Sequence, residues 1–561
     1  MKQPNPAIVA QAAVRRLPRW ALWGLTLVYA LAGFWGRDPW RSADMTTLGV
    51  IQALIQRHSD WWHPALPGAA IDNAVLLPYW VGAWFLQHTP VGWDLAGFVR
   101  LPFIVLLGLA FACTWYGCYY LARHPQAQPV AFAFGGEAKP NDFARALADG
   151  ALLALMASLG LAQIGHETTP ALFQLGGVSL LFYGLSSRPY HPVVAHTALA
   201  VGSAVLALSG APLMAVAYLA AELVIPRHLP TEEWPHRHVR RWGVLPYVAM
   251  VLLLSTALDL WRWRMEAPNL HWGGISGTAQ LLVWFTWPAW PLALWGVWRW
   301  RKHVLSREFP RHMALPLWFV VVSVLCMLFN PDPDRTLFLA LPSMAALAAF
   351  ALPTLKRQVS ALVDWFTLVF FSACGFTIWV VWLALQTGFP AQPAANVARL
   401  APGFEHRFLI PALIVAILAT LAWVYLVQWR VGRHRAAIWK SLVLPATGAV
   451  LCWTLLMSLW LPLLDYAQSY RVWAQRIVIA ASSPLTCLRT QGLDAAHSAA
   501  LHWYMPEVMS RGESQCNWLL VEAEPGAPSP RGIDWDQWRV RQLVQHPVGN
   551  ADDVWLLERR R

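Results

Sequence analysis

One acid stands where chemistry could begin. Asp44 closes the stretch Gly36-Arg37-Asp38-Pro39-Trp40-Arg41-Ser42-Ala43-Asp44, just past the end of the first apolar run. It also opens a segment with helical spacing, Thr46–Arg57, with Leu48, Ile51, Leu54 and Ile55 on one side. A carboxylate held at that edge could take a proton from an attacking hydroxyl, or bind a divalent cation. A second polar step, Gly165-His166-Glu167-Thr168-Thr169-Pro170, joins two apolar runs, so an acid and an imidazole face the same side as Asp44. The bland reading of that step is a turn in which a threonine caps the helix begun at Pro170. Arg335 follows Asp332 and Asp334 at the start of another apolar run. It could pair with those acids, or grip a phosphate with its planar fork of N–H groups. Arg262, Arg264 and His271 in one loop, and Arg41 and Arg57 in another, are weaker candidates of the same kind.

The elements that must hold these residues are apolar. The chain has 561 residues, 57% of them hydrophobic and only 13% charged. A membrane-crossing helix needs about 20 mostly apolar residues. Runs of that kind occur at Trp20–Trp35, Leu101–Leu121, Val244–Leu260, Leu315–Phe329, Trp365–Leu385, Phe408–Gln428 and Leu442–Leu464. Shorter or interrupted runs occur at Ala146–Ile164, Ala171–Leu185, Val193–Leu208, Pro212–Ile225, Ala279–Val297 and Leu337–Leu352. The pattern predicts an all-α polytopic membrane protein of about thirteen spanning helices, too long for barrel strands.

A net charge of +12 raises the question of nucleic acid. Its distribution answers it. With the amino terminus inside, 23 of the 42 Lys and Arg fall in inner segments and 9 in outer loops. That is the positive-inside bias of a membrane protein, and it orients the chain. The carboxyl-terminal tail is then extracytoplasmic. The 36 tryptophans gather near run ends, as an amphipathic ring at the headgroup level would. The expected division is a transmembrane part, 1–464, with a first outer loop at 37–100, and an outer tail, 465–561. In the tail Trp518–Glu522 and Val554–Leu557 read as strands and Ala495–Tyr504 as a helix, a small α/β domain. Cys487 and Cys516 lie there, where a disulfide could persist. Within the first loop, the Pro-broken segment Asn73–Gln87 reads as lying in the membrane interface.

No Walker loop, Gly-x-Gly-x-x-Gly, Cys-x-x-Cys or His-Glu-x-x-His occurs, so neither ATP nor a nucleotide cradle is supported. Ionisable residues deep in the membrane would favour a carrier. The acids in or beside spans, Asp149, Glu222, Asp259 and Asp364, lie close to run ends. A lipid or polysaccharide transporter, or an envelope-assembly scaffold, remains the alternative class.

The layout resembles the GT-C membrane glycosyltransferases, in particular family 39, which contains the aminoarabinose lipid A transferases and the protein O-mannosyltransferases. Asp44 sits where that family has its first-loop acid. Leu77-Pro78-Tyr79-Trp80 resembles the end of its Glu-Lys-Pro-Pro-Leu-x-Tyr-Trp stretch, and His166-Glu167 falls at its second acidic motif. Arg335 before Leu341-Pro342 resembles its basic residue ahead of a Leu-Pro step. The chain departs from the pattern at Met45, where many members have a second acid, and at Asn73-Ala74-Val75-Leu76, which lacks the family's lysine. The resemblance implies a bacterial inner-membrane transferase that moves a sugar from a polyprenyl-phosphate donor to a glycolipid, glycan or protein acceptor at the periplasmic face. It implies Asp44, Glu167 and His166 as the catalytic set. Arg335, Arg262, Arg264, Arg41, Tyr79 and His271 would contact the lipid phosphate or substrate. No cofactor is required, though a divalent metal could sit between Asp44, Glu167 and His166.

Overall fold

A computed structural model describes residues 6–560 apart from 41–42, 67–74, 226–240, 262–266, 269–270, 305–309, 432–436, 482–484, 510–515, 524–528 and 550–552. Arg41, Arg262 and Arg264 therefore lie outside the described residues. The protein is mainly helical, with one small sheet near its carboxyl end.

The helices that frame the site come in chain order. They are α1 (Arg19–Leu31), α2 (Ala43–Ile55), α3 (Leu77–Gln87), α4 (Leu101–Ala122), α5 (Pro140–Ala157), α6 (Leu159–Ile164) and α7 (Pro170–Ser187). Next are α8 (Trp272–Phe285), α9 (Ala289–Arg299), α10 (Pro333–Phe338), α11 (Leu341–Ala351), α12 (Arg357–Thr387), α13 (Ile410–Val431) and α14 (Val443–Leu459). The last are α15 (Leu461–Gln468), α16 (Arg471–Ala480) and α17 (Ala495–Tyr504). Proline begins α5, α7 and α10 at the first helical position, where its missing N–H costs nothing.

Four helices among the described residues are long and apolar enough to cross a membrane: Leu95–Ala122, Arg357–Thr387, Ile410–Arg430 and Ile438–Leu459. Several runs read as single spans are broken. Ala146–Ile164 divides at Ser158, whose extended backbone ends α5 and starts α6. Ala279–Val297 divides between α8 and α9 around Pro288, which supplies no donor to a helical ladder. Leu337–Leu352 divides between α10 and α11. Helices α4, α5, α7, α9 and α11 pack on one another around a single large apolar core. Helices α12 and α13 pack on α14 and turn most of their apolar side chains outward.

The tail forms a sheet in the order β1-β2-β4-β3, from β1 (Leu488–Gln491), β2 (Trp518–Glu522), β3 (Trp538–Val544) and β4 (Val554–Arg559). β1 runs parallel to β2, and the other pairs are antiparallel. The sequence pattern had marked β2, β4 and α17. It does not mark β1, which is short, or β3, whose exposed middle residues are mostly polar. Cys487 and Cys516 are joined in a disulfide next to β1 and β2.

Helix α2 forms where the helical spacing predicts it, and Met45, Leu48, Val50, Ile51, Ala53 and Leu54 are all buried. Helix α17 of the tail covers one side and α3 another. A Cβ on Gly49 would stand 2.4 Å from the Cβ of Ala499 and 2.5 Å from its Cα, so only glycine lets the two helices approach this closely. Tyr79, expected from the resemblance to contact substrate, is buried in the same core, which also holds Ile51 and Trp473.

Candidate active site at the mouth of the helical bundle

The end of α1 sets up the site. Gly33 has φ +95°, and a Cβ there would meet the Trp453 ring at 2.7 Å. The Trp453 indole in turn donates to the Ala32 carbonyl at 2.7 Å. The chain leaving α1 is thereby bent against α14, and it delivers Arg37 and then Asp44 to the rim of the bundle.

Asp44 occupies the first turn of α2, where the helix dipole favours a negative charge. It is 1% exposed. Its Oδ1 accepts the Thr168 N–H at 2.8 Å, and its Oδ2 accepts the Trp40 N–H at 3.1 Å. Two guanidinium groups close around it, Arg37 Nη2 at 3.1 Å and Arg100 Nη2 at 3.7 Å from Oδ2. Burial pushes its pKa up, but the two arginines and two backbone donors outweigh burial and hold it below the ordinary 3.8.

The turn between α6 and α7 supplies the second carboxylate. Glu167 Oε2 pairs with Arg335 Nη2 at 2.9 Å, and Oε1 accepts from Gln163 at 3.4 Å. Burial and the nearby Asp44 charge hold the Glu167 pKa above its usual value, against the pull of Arg335. Arg335 thus reaches across from α10 to Glu167 and makes no ion pair with Asp332 or Asp334 among the described residues; Asp334 accepts only its backbone N–H. Thr169 is the N-cap residue of α7 but makes no side-chain cap bond. The Thr168 amide has gone to Asp44 instead, which ties the two acidic segments directly together.

His166 is brought near but turned away. Its ring lies among Tyr29, Phe34 and Trp453, with centroids 5.2, 5.1 and 4.8 Å away. Nε2 sits 2.7 Å from the Tyr29 carbonyl oxygen and Nδ1 2.5 Å from that of Ala162. Two carbonyls would favour an imidazolium; burial is the larger effect and brings the pKa down to about 4. The part of His166 that serves the site is its backbone carbonyl, which accepts from Arg37 at 2.9 Å. Expected beside Asp44 as an acid–base partner, the imidazole is a packed brace. His271 is exposed at the N-cap of α8, a helix that packs against α6 and α10. Among the described residues no group of three His, Cys, Asp or Glu side chains is placed to hold a metal ion.

Two residues that the motif reading passed over complete the arrangement. Arg100 precedes α4 fully buried, and its Nη1 donates to the carbonyls of Phe34, at 3.2 Å, and Arg37. Arg37 is stacked 4.4 Å over the Trp40 ring. Both are cations beside the ends of apolar runs, as Arg335 is. Arg37 Nε, Arg100 Nη2 and Arg335 Nη1 are all buried with no hydrogen-bond acceptor among the described residues. Three guanidiniums gather about two carboxylates here, and each keeps a buried N–H group that makes no hydrogen bond among the described residues, a charge balance that suits an anion with several oxygens.

Two solved structures share this architecture. Both are of ArnT from Cupriavidus metallidurans, one bound to undecaprenyl phosphate and one in the apo state. The likeness covers 96% of this chain and 97% of each of those, with a TM-score of 0.58. The chain has the ArnT fold. The aminoarabinose lipid A transferases that the sequence resembles and these ArnT structures point to the same fold. Sequence identity is 13% and 12%, so the likeness is one of fold. No protein-family model matches the chain, and no curated protein matches it.

Proposed function

We propose that the protein is a membrane glycosyltransferase of bacterial inner membranes. It moves a sugar from a polyprenyl-phosphate donor to an envelope acceptor on the periplasmic side. About thirteen crossings, with the amino terminus inside, would put the tail and the Asp44 rim on that outer face. The observation that carries the reading is the cradle: buried guanidinium donors without acceptors, in a fold shared end to end with a protein solved with undecaprenyl phosphate bound.

The residues divide the work as follows. The acceptor oxygen attacks the anomeric carbon of the sugar. The bond from that carbon to the phosphate oxygen breaks, and its electron pair leaves with the lipid phosphate, which gains a negative charge. Arg335, Arg37 and Arg100 hold that charge through their spare N–H groups, as preorganised donors do where charge develops. If the acceptor is a hydroxyl, its proton must go to a carboxylate. Glu167, held above its usual pKa, suits this better than Asp44, which is held below. Asp44 fixes Arg37, Arg100 and the Thr168 amide in place.

The test is sugar transfer by purified protein in liposomes, using a panel of polyprenyl-phosphate sugars with varied glycolipid, glycan and peptide acceptors. Transfer by the wild type, falling about 100-fold or more in Arg335→Ala and in Asp44→Asn, supports the reading. Failure of every donor with every acceptor would sink it in favour of a carrier or scaffold.

A further inference from the structure

The seam between the first outer loop and the tail holds a carboxyl group that the chemistry above does not use. Asp465, on α15, accepts the Trp40 indole N–H at 2.8 Å and the Asp38 backbone N–H at 3.3 Å, both at Oδ1. The Asp38 carboxylate turns the other way. It is clamped by Arg471 through Nε, at 2.7 Å, and through Nη2, and it takes the Ser469 hydroxyl at 3.1 Å. Trp40 and Ser469 also form an isolated backbone bridge. The ring that Asp465 holds is the one under the Arg37 guanidinium, and that guanidinium is paired with Asp44. An unbroken line of contacts therefore runs from Asp465 through Trp40 and Arg37 to Asp44.

The charged and titratable groups around Asp465 come from every element at the seam. Arg37 and Asp38 face it from the loop, Arg100 from the head of α4, and Arg471 and Tyr504 from the tail. Burial first, and the Asp38 charge second, push Asp465 up to about 7, while the Trp40 indole and Arg37 pull it down.

Resting on the transferase reading, we infer that Asp465 is a positioning residue: through Trp40 it sets how firmly Arg37 is held, and so how tightly the cradle takes the lipid phosphate. The sign follows from linkage. A carboxyl whose pKa is raised in the docked seam above its ordinary 3.8 favours docking when protonated. The seam is firmest below about pH 4, loosens as the pH rises towards about 7, and is weakest above that value. Protonation also removes a negative charge close to Arg37 and Arg100, leaving them freer to attract phosphate. Both effects point the same way: donor affinity is lower above neutrality than below it.

The experiment uses full-length protein in liposomes at pH 6 and pH 8, as wild type, Asp465→Asn and Trp40→Phe. One arm measures donor KM and kcat. The other follows hydrogen exchange at the amides of Asp38 and Trp40, corrected for intrinsic rates, and needs no activity. In the wild type, KM should rise several-fold between the two pH values and protection at both amides should fall. Asn keeps the Oδ1 acceptor and has no charge, so Asp465→Asn should hold both readouts near their pH 6 values throughout. Trp40→Phe should uncouple KM from pH. If Asp465→Asn follows the wild-type pH dependence in exchange, Asp465 has no such role. If no donor is turned over, the transferase reading fails, and the exchange arm still decides whether Asp465 governs the seam.

Discussion

Asp44 shows how far a residue can be read without its neighbours. Its place at the edge of the first apolar run marks it as a candidate, and the structure surrounds it with Arg37, Arg100 and the Thr168 amide. Glu167 and Arg335 were found by the same reasoning, and the structure joins them in one ion pair. What position alone could not supply was the environment. A loop acid reads as a base, but two buried guanidiniums turn this one into an anchor. His166 misled for the same reason, since nothing in the local sequence says that Tyr29, Phe34 and Trp453 will enclose its ring. Asp44→Ala should therefore do more than lower activity. It leaves Arg37 and Arg100 buried without their partner, at a cost of roughly 3–5 kcal/mol, readable as a drop in Tm. Asp44→Asn, which keeps an oxygen for one of the Thr168 and Trp40 amides and loses it for the other, should be milder. Acid sensitivity has a definite sign as well. A carboxyl held below its ordinary 3.8 stabilises the fold above that pH and ceases to do so as the pH falls through its folded value. Wild-type Tm should fall below about pH 4, and that fall should be smaller in Asp44→Asn.

Among the elements, α2 is the instructive one. Its spacing of Leu48, Ile51, Leu54 and Ile55 predicts a helix with one apolar side, and a helix forms there. The covering of its other face was not legible, because the partner is more than 400 residues away in the chain, on α17. Gly49 makes that contact, and a side chain at this position would strike the Ala499 backbone. Gly49→Ala should cost about 1–3 kcal/mol by overpacking and lower transfer by shifting Asp44. Gly108→Ala, in α4 with nothing within 4 Å of a new Cβ, is the matched control and should leave both unchanged. The broken spans teach a related lesson. Hydrophobic runs such as Ala279–Val297 announce membrane-like composition, whereas their division at Pro288 depends on how the backbone is used.

At the scale of the molecule, the fold was legible because its signals are cumulative: long apolar runs, cations biased to one side, and an acid at the same edge twice. The tail was the harder part, since a short sheet of mixed strands carries little periodicity. Its two cysteines are joined across 29 positions of chain. Reduction should lower the unfolding temperature of the tail, by an amount equivalent to about 2–4 kcal/mol. Comparing thermal unfolding of Cys487→Ser/Cys516→Ser with the wild type, each with and without reductant, checks this: only the wild type should respond.

The closing of α2 under α17 has a consequence for how the protein is made. Every residue of the proposed cradle is translated by Arg335, but the surface that seats Asp44 is not complete until Ala499 has been synthesised. A nascent chain stalled after α14 would hold all its acids and arginines and still lack a formed site. On the proposed reading, activity would appear late and all at once, as the last segment of the chain settles on α2.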